Sequence, residues 1–150
     1  MLKMKKTLLR KKGKSDISKI KDRIQKLLTA IVRLRDGGCI LRNYPEAGAC
    51  SGYTAADHLI TRSRSVSYGD TRNVLCVCQR HHIYWKPINP LLYSSIIKRH
   101  LDEKTFNWLE RTQLDGKTYS FTLWDWTKIE ISLKQELLKL SPDDIGIDML

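Results

Sequence analysis

The sequence predicts an α+β fold in which a strand–loop–strand–helix unit lies between one N-terminal helix and a set of C-terminal helices. Apolar residues recur at helical spacing over residues 15–38 and again beyond residue 90. Two short β-compatible runs, 54–60 and 73–77, flank a polar loop that carries arginines. The chain has 150 residues, enough for one domain with a modest core.

The N-terminal helix has sequence signals at both ends. Ser15 offers a side-chain N-cap, and Asp16 follows in the first turn, where a carboxylate suits the positive end of the helix dipole. Gly37 and Gly38 provide a stop, because glycine adopts positive φ readily. The apolar face is predicted to comprise Ile17, Ile20, Ile24, Leu27, Leu28, Ile31 and Leu34.

The elements after this helix follow from composition and periodicity. Residues 39–53 are predicted to form a loop, since they include one proline and two glycines. Residues 79–85 predict the start of a helix, which Lys86 and Pro87 end. The C-terminal helices are expected at 90–100, 102–112 and 124–140, with a turn at Asp115-Gly116.

Positive charge is concentrated at the start of the chain. Of a net charge of +11, residues 1–38 contribute most, with 13 Lys/Arg against 3 Asp/Glu. Residues 1–14 carry seven basic groups and no acid, which predicts an arm that is disordered when unbound. We assign a single domain to residues 15–142, followed by an acidic tail at 143–150. The arm favours a polyanionic partner, because neutralised phosphates release counterions; a solvated tail that aids solubility is the alternative.

Hydropathy and cysteine usage limit the class of protein. No apolar run approaches the roughly 18 residues that a membrane span needs, and the basic start has no apolar segment typical of a secretory signal. We therefore expect a soluble, cytoplasmic protein that makes no membrane contact. The cysteines are more typical of metal ligands or free thiols than of a disulfide framework; they are Cys39, Cys50, Cys76 and Cys78.

Residues that bind metals and move protons gather in the centre of the chain. Asp57-His58 is followed by Asn73 and then by two cysteines and two histidines within residues 76–82. Hydrolysis of a phosphodiester needs a base for water and a cation for the leaving oxygen. His58 suits the first task, Asp57 with His82 suits the second, and Asn73 could orient His58. Because neighbours on a strand point to opposite faces, a bulge or strand end would have to bring Asp57 and His58 together.

These residues resemble the HNH nucleases, whose ββα-metal module has a histidine base, a central asparagine and a final histidine in that order. The sequence motifs are most similar to those of the phage recombination nucleases of the Rap (NinG) type. Matching stretches are Val32-Arg33-Leu34-Arg35-Asp36-Gly37-Gly38-Cys39, Ala55-Ala56-Asp57-His58-Leu59-Ile60, and the run from Asn73-Val74 through Cys78 to His81-His82. The resemblance covers roughly residues 27–100.

The resemblance implies a ββα core at about 54–86 that cleaves DNA. It makes His58 the general base, Asp57 and His82 the ligands of Mg²⁺ or Mn²⁺, and Asn73 the residue that positions His58. A further histidine three or four residues after His82 is common in the family, but this chain has Trp85 and Lys86 there. Water and the substrate phosphate would complete the coordination of Mg²⁺.

The resemblance also implies a structural zinc, in a site of three cysteines and one histidine: Cys39, Cys50, Cys78 and His81. Cys78 and His81 have knuckle spacing, which suits tetrahedral Zn²⁺. Cys39 and Cys50 depart from the family pattern, because ten residues separate them rather than two. Cys76 is assigned to the core, although it is the obvious substitute ligand.

The remaining basic and aromatic residues and His100 are assigned roles outside the catalytic and zinc sites. DNA contact is predicted for basic residues of the arm and of the strand loop: Lys11, Lys12, Arg62, Arg64, Arg72 and Arg80. His100 is read as a helix C-terminal cap. The four tryptophans are assigned to core and helix packing rather than to base stacking: Trp85, Trp108, Trp124 and Trp126.

The leading interpretation is therefore a metal-dependent DNA endonuclease, acting on branched DNA in phage recombination and inside the bacterial host cell. A pair of cuts across a junction would suit a homodimer. Two alternatives stay open: a zinc-stabilised nucleic-acid-binding adaptor that does not cleave, and a homing endonuclease with a long recognition site.

Overall fold

The computed structural model describes residues 14–141, and within them the fold is α+β. Residues 1–13 and 142–150 lie outside the described residues; they include Lys11, Lys12, all but the last residue of the predicted arm (1–14) and the whole predicted acidic tail (143–150). In chain order the helices and strands are α1 (Asp16–Asp36), β1 (Thr54–His58), α2 (Ser65–Tyr68), β2 (Val74–Cys78), α3 (Lys86–Ile88), α4 (Pro90–His100), α5 (Glu103–Asp115) and α6 (Leu123–Leu140). A π-helical segment, Arg80–Trp85, joins β2 to α3.

Helix α1 begins and ends where its sequence signals predict. The Ser15 side chain accepts a hydrogen bond from the Ser18 amide at 3.2 Å. Gly37 adopts φ 66° and donates its N–H to the Arg33 carbonyl at 3.1 Å. The buried face is narrower than predicted, since Ile17 and Leu34 are exposed. It comprises Ile20, Ile24, Leu27, Leu28, Ile31 and Val32.

The two strands form an antiparallel hairpin in regular register, with Asp57 opposite Leu75 and His58 opposite Val74. Strand β1 ends at His58, two residues earlier than predicted, because the next residues leave the ladder. The Leu59 amide bonds to the Asn73 carbonyl at 2.9 Å, and the Ile60 amide bonds to the Asn73 side chain at 2.7 Å. A short 3₁₀ turn, Thr71–Asn73, then leads into β2.

Separate parts of the core lie on the two faces of this hairpin. Helices α1 and α6 cover one face, where Ala56 and Cys76 pack with Trp126. Helix α4 and the 3₁₀ turns Ile40–Asn43 and Pro45–Ala47 cover the other face, which buries Leu75 and Val77. Neighbouring residues of one strand are therefore buried in different surroundings, which sets the directions of Asp57 and His58.

The C-terminal helices follow the predicted order with shifted ends. Asp102 caps α5 by accepting from the Thr105 amide, and α5 continues to Asp115 before Gly116, at φ 62°, ends it. Of the tryptophans assigned to core and helix packing, Trp124 is not a core residue, because it is 63% exposed, whereas Trp126 is buried. Among the described helices, none is both long and apolar enough to span a membrane.

Candidate metal centre and adjoining carboxylate site

Three thiols and one imidazole converge at the end of β2. The Sγ atoms of Cys39, Cys50 and Cys78 and one ring nitrogen of His81 all lie within 4.8 Å of one another. His81 Nδ1 is 3.5 Å from Cys39 Sγ, 3.6 Å from Cys50 Sγ and 3.1 Å from Cys78 Sγ. With Zn–S near 2.3 Å and Zn–N near 2.0 Å, tetrahedral geometry places sulfur and nitrogen ligands about 3.5 Å apart. The cluster can therefore hold a metal ion such as zinc.

Turns bring Cys39 and Cys50 close together, although ten residues separate them in sequence. Cys39 follows the end of α1, and the 3₁₀ turns then reverse the chain, aided by Gly48 at φ 73° and Gly52 at φ 81°. Backbone hydrogen bonds hold the returning loop against the start of the π-helical segment, from Gln79 to Tyr53 at 2.8 Å and from Arg80 to Ser51 at 3.2 Å. Cys50 thus reaches the cluster despite its unusual spacing.

The His81 ring is oriented by a backbone carbonyl. Its Nε2 lies 2.9 Å from the Ala47 oxygen and donates to it, which leaves Nδ1 unprotonated toward the three sulfurs. Arg80 donates to the same oxygen at 3.1 Å and to the Ala49 oxygen at 2.7 Å. The guanidinium of Arg80 also lies 2.9 Å from His81 Nε2. The two groups are this close because both donate to the Ala47 oxygen. The tautomer that donates to Ala47 is the one that leaves Nδ1 available to a metal.

The thiols differ in how readily they ionise. Burial raises the pKa of Cys39, and burial and the neighbouring sulfurs raise the pKa of Cys50 to about 12. Burial acts the same way on Cys78, but the His81 and Ser51 amides and the other two thiols outweigh it and lower that pKa. Three thiolates so close together repel one another, and a bound dication removes this penalty. Cys76 packs in the core against α1 and is outside the cluster, as assigned.

A second group of polar side chains surrounds Asp57 on the α4 face of the hairpin. Asp57 is only 2% exposed, and three side chains contact its buried carboxylate. Oδ1 is 3.0 Å from His82 Nδ1, Lys86 Nζ lies 2.9 and 2.8 Å from Oδ1 and Oδ2, and the Tyr93 hydroxyl donates to Oδ2. Burial alone would raise the pKa of Asp57, but the bonds from His82, Lys86 and Tyr93 keep it below the usual value.

Sequence reasoning placed Asp57 with His82, and the structure brings these two together. It missed Lys86 and Tyr93. The position of Lys86, four residues after His82, is a signal that it shares the His82 face of the helix. Tyr93 had no local signal, because α4 meets β1 only through tertiary packing.

His58 projects from the other side of β1, toward the α2 turn. Its Nε2 donates to the Tyr68 carbonyl at 2.9 Å, and its ring packs against the Tyr68 ring with centroids 5.2 Å apart. With Nε2 protonated, Nδ1 carries the lone pair, and no other described residue bonds to it. Burial lowers the pKa of His58, and the charge of Arg62 adds to this effect. The imidazole is therefore neutral near pH 7.

No bulge interrupts β1, so Asp57 and His58 do point to opposite faces. His58 is nevertheless the last residue of the strand, and its ring is close enough to be influenced by the charges of Asp57 and Lys86. The two sites therefore adjoin at the end of β1 rather than sharing one face.

Asn73 holds the loop beside His58 rather than the His58 ring itself. This residue is fully buried; its Oδ1 accepts from the Ile60 amide at 2.7 Å, and its Nδ2 donates to the Ile60 and Ser67 carbonyls at 3.1 Å each. Asn73 could orient His58 only indirectly, because its side chain bonds to Ile60 and Ser67 and not to the His58 ring. Because Tyr68 follows Ser67, Asn73 stabilises the turn that presents the acceptor for His58.

The four loop arginines separate into two kinds. Arg80 is committed to carbonyls of the cysteine loop, and Arg72 is paired with Asp70 at 2.6 Å while stacking 3.7 Å from the Trp108 ring centroid. These two therefore have roles within the fold that the sequence did not reveal. Arg62 is exposed beside Tyr68, and the Arg64 side chain has no hydrogen-bond or ion-pair partner among residues 14–141.

His100 also has a hydrogen-bond partner that the sequence did not predict. At the end of α4, its Nδ1 lies 3.1 Å from the Tyr44 hydroxyl.

Comparison of the chain with protein-family models, with curated proteins and with solved structures gives no match.

Proposed function

We propose that this chain is a metal-dependent endonuclease that hydrolyses DNA phosphodiester bonds. One observation carries the proposal: Asp57 and His82 meet at 3.0 Å, while the neutral His58 ring lies at the end of the same strand. The carboxylate oxygen is a donor that suits Mg²⁺ or Mn²⁺, the imidazole nitrogen would favour the transition-metal ion Mn²⁺, and the rest of the shell would be water and substrate.

The chemistry divides between the two sides of β1. His58 Nδ1 would accept the proton of the attacking water, since Nε2 is already held by the Tyr68 carbonyl. A divalent ion held by Asp57 and His82 would stabilise the charge on the departing oxygen. Arg62, next to His58 and exposed, would contact a phosphate of the bound strand.

The substrate follows from charge and from the resemblance to the phage recombination nucleases. The basic N-terminal arm would supply affinity that does not depend on sequence. We propose branched DNA as the preferred substrate, with cleavage of a panel of linear, flap and four-way DNAs as the comparison. A few discrete cuts in a whole phage genome would instead favour a homing endonuclease.

The test is nicking of supercoiled plasmid with Mg²⁺ or Mn²⁺ by the wild type and by His58→Ala. A general base contributes about 10²- to 10⁴-fold, so the variant should lose most of the rate. His100→Ala is the matched control, because it removes a histidine whose partner is Tyr44. Equal nicking by His58→Ala and wild type would show that the assignment is wrong.

A second function is favoured by one specific observation. Lys86 already contacts both oxygens of Asp57, so the carboxylate has a cation without a metal. The protein would then be a zinc-stabilised nucleic-acid-binding adaptor. Gel-shift binding of DNA with no chelator-sensitive cleavage on any substrate of the panel would support this reading and exclude the nuclease.

A further inference from the structure

Lys86 occupies the place beside Asp57 where a cation would bind. It lies one helical turn after His82, and its Nζ is 2.9 and 2.8 Å from the two carboxylate oxygens. The side chain is 28% exposed, and its ammonium also lies 4.7 Å from the centroid of the Tyr93 ring. The ammonium is therefore held by one carboxylate and one aromatic face.

The acceptor capacity of Asp57 is fully used in this arrangement. An ionised carboxylate offers about four lone-pair sites. Oδ1 is shared by His82 and Lys86, and Oδ2 by Lys86 and Tyr93. A divalent ion bound to Asp57 and His82 would have to displace a donor, and the ammonium is the donor it repels, because both are cations.

We propose that Lys86 is a built-in cation that competes with the divalent ion for Asp57, and that a phosphate of the substrate relieves this competition by drawing the ammonium away. The identity of the substrate rests on the proposed function, whereas the competition rests on the contacts of Lys86 alone. A lysine suits such a role, since its charge sits on a flexible four-carbon stem and binds phosphate as a point charge.

The competition is tested by Mn²⁺ binding, measured from the electron paramagnetic resonance signal of free Mn²⁺ at pH 8 on zinc-saturated protein. Lys86→Met removes the charge and keeps most of the stem; we expect it to bind Mn²⁺ about 10- to 100-fold more tightly than the wild type, the range of one charge-assisted hydrogen bond. Lys98→Met is the matched control, since the Lys98 ammonium lies over the Phe106 ring. Adding Asp57→Asn to Lys86→Met should abolish the gain.

Equal Mn²⁺ affinity of wild type and Lys86→Met, with equal zinc content and equal circular dichroism, would overturn the competition. Lys86→Gln, which retains a polar donor for Asp57, takes its place if Lys86→Met does not fold. Tighter binding by Lys98→Met of the same size would also overturn it, because the effect would then be one of net charge.

The role of phosphate is tested in the His58→Ala background with a four-way DNA, so that substrate stays intact. Bound DNA should raise Mn²⁺ affinity in protein with Lys86, and raise it several-fold less in Lys86→Met. An equal rise in both would overturn the phosphate step. If the protein binds no DNA, the proposed function and the phosphate step fail, while the comparison without DNA still decides the competition.

Discussion

Depletion of zinc is expected to unfold the part of the protein that surrounds the four-ligand cluster. The four residues come from two parts of the chain: Cys39 and Cys50 from the loop after α1, and Cys78 and His81 from the junction of β2 with the π-helical segment. Structural zinc contributes apparent binding free energies of about 10–16 kcal/mol in small peptides, whereas whole domains have net stabilities of about 5–15 kcal/mol. The ion would therefore supply much of the free energy of unfolding.

The contribution of zinc can be measured as the slope of the free energy of unfolding against the logarithm of the free zinc concentration. While the folded protein is saturated, each tenfold decrease in free zinc should lower the free energy of unfolding by about 1.4 kcal/mol. Urea titrations at buffered zinc concentrations, followed by tryptophan fluorescence, give this slope. Trp85 is a local reporter, because its ring lies 5.7 Å from the His81 ring in edge contact.

The variants Cys78→Ala and Cys76→Ala form a matched pair for this experiment. Both cysteines are buried residues of β2, but only Cys78 belongs to the cluster. Cys78→Ala should abolish the dependence on zinc, and Cys76→Ala should lower stability modestly while keeping the slope. A urea midpoint that is independent of free zinc in the wild type would refute the reasoning.

Three further substitutions test contacts outside the cluster. Glu130→Gln should lower the free energy of unfolding by about 1 kcal/mol at pH 7, because Arg23, itself half-exposed, pairs with Glu130 at 2.8 Å. The Arg23 bond lowers the pKa of Glu130, so this stability is present above about pH 4.5 and lost as the pH falls through the lowered pKa; the urea midpoints of wild type and variant should differ at pH 7 and approach each other as the pH is lowered toward 3. Asn73→Ala should destabilise by about 2–4 kcal/mol in the same assay, since Ile60 and Ser67 backbone groups lose their partner. Gly37→Ala should shift the thermal midpoint downward by the equivalent of about 1 kcal/mol, because residue 37 has φ 66°.

Local signals allowed accurate prediction of α1 and of the α+β class. Ser15 and Gly37 act within a few residues of themselves, so the sequence alone indicates where the helix begins and ends. The strand ends were less predictable. The early end of β1 depends on the side chain of Asn73, which bonds to the backbone of Ile60, thirteen positions away.

The candidate sites show the same division between local and long-range information. The pairing of Asp57 with His82 and the four-ligand cluster were predicted through resemblance, and their atoms do converge. The partners of Lys86 and Tyr93 could not be predicted, because they depend on how α4 packs against the hairpin. The structural partners of Arg80 were hidden for a similar reason: its guanidinium donates to the carbonyls of Ala47 and Ala49, which lie more than thirty residues away in sequence. Its predicted contact with DNA stays a prediction.

The π-helical segment explains how one short stretch supplies both groups of polar residues. His81 and His82 are adjacent, but they point in different directions, His81 to the sulfurs and His82 to Asp57. The wide turn continues into Lys86, whose amide bonds to the His81 carbonyl. Since the cysteine cluster fixes His81, it also fixes the backbone that carries His82 and Lys86. Removal of a metal bound by the cluster should therefore disturb the surroundings of Asp57 as well, although none of the four cluster residues contacts that carboxylate.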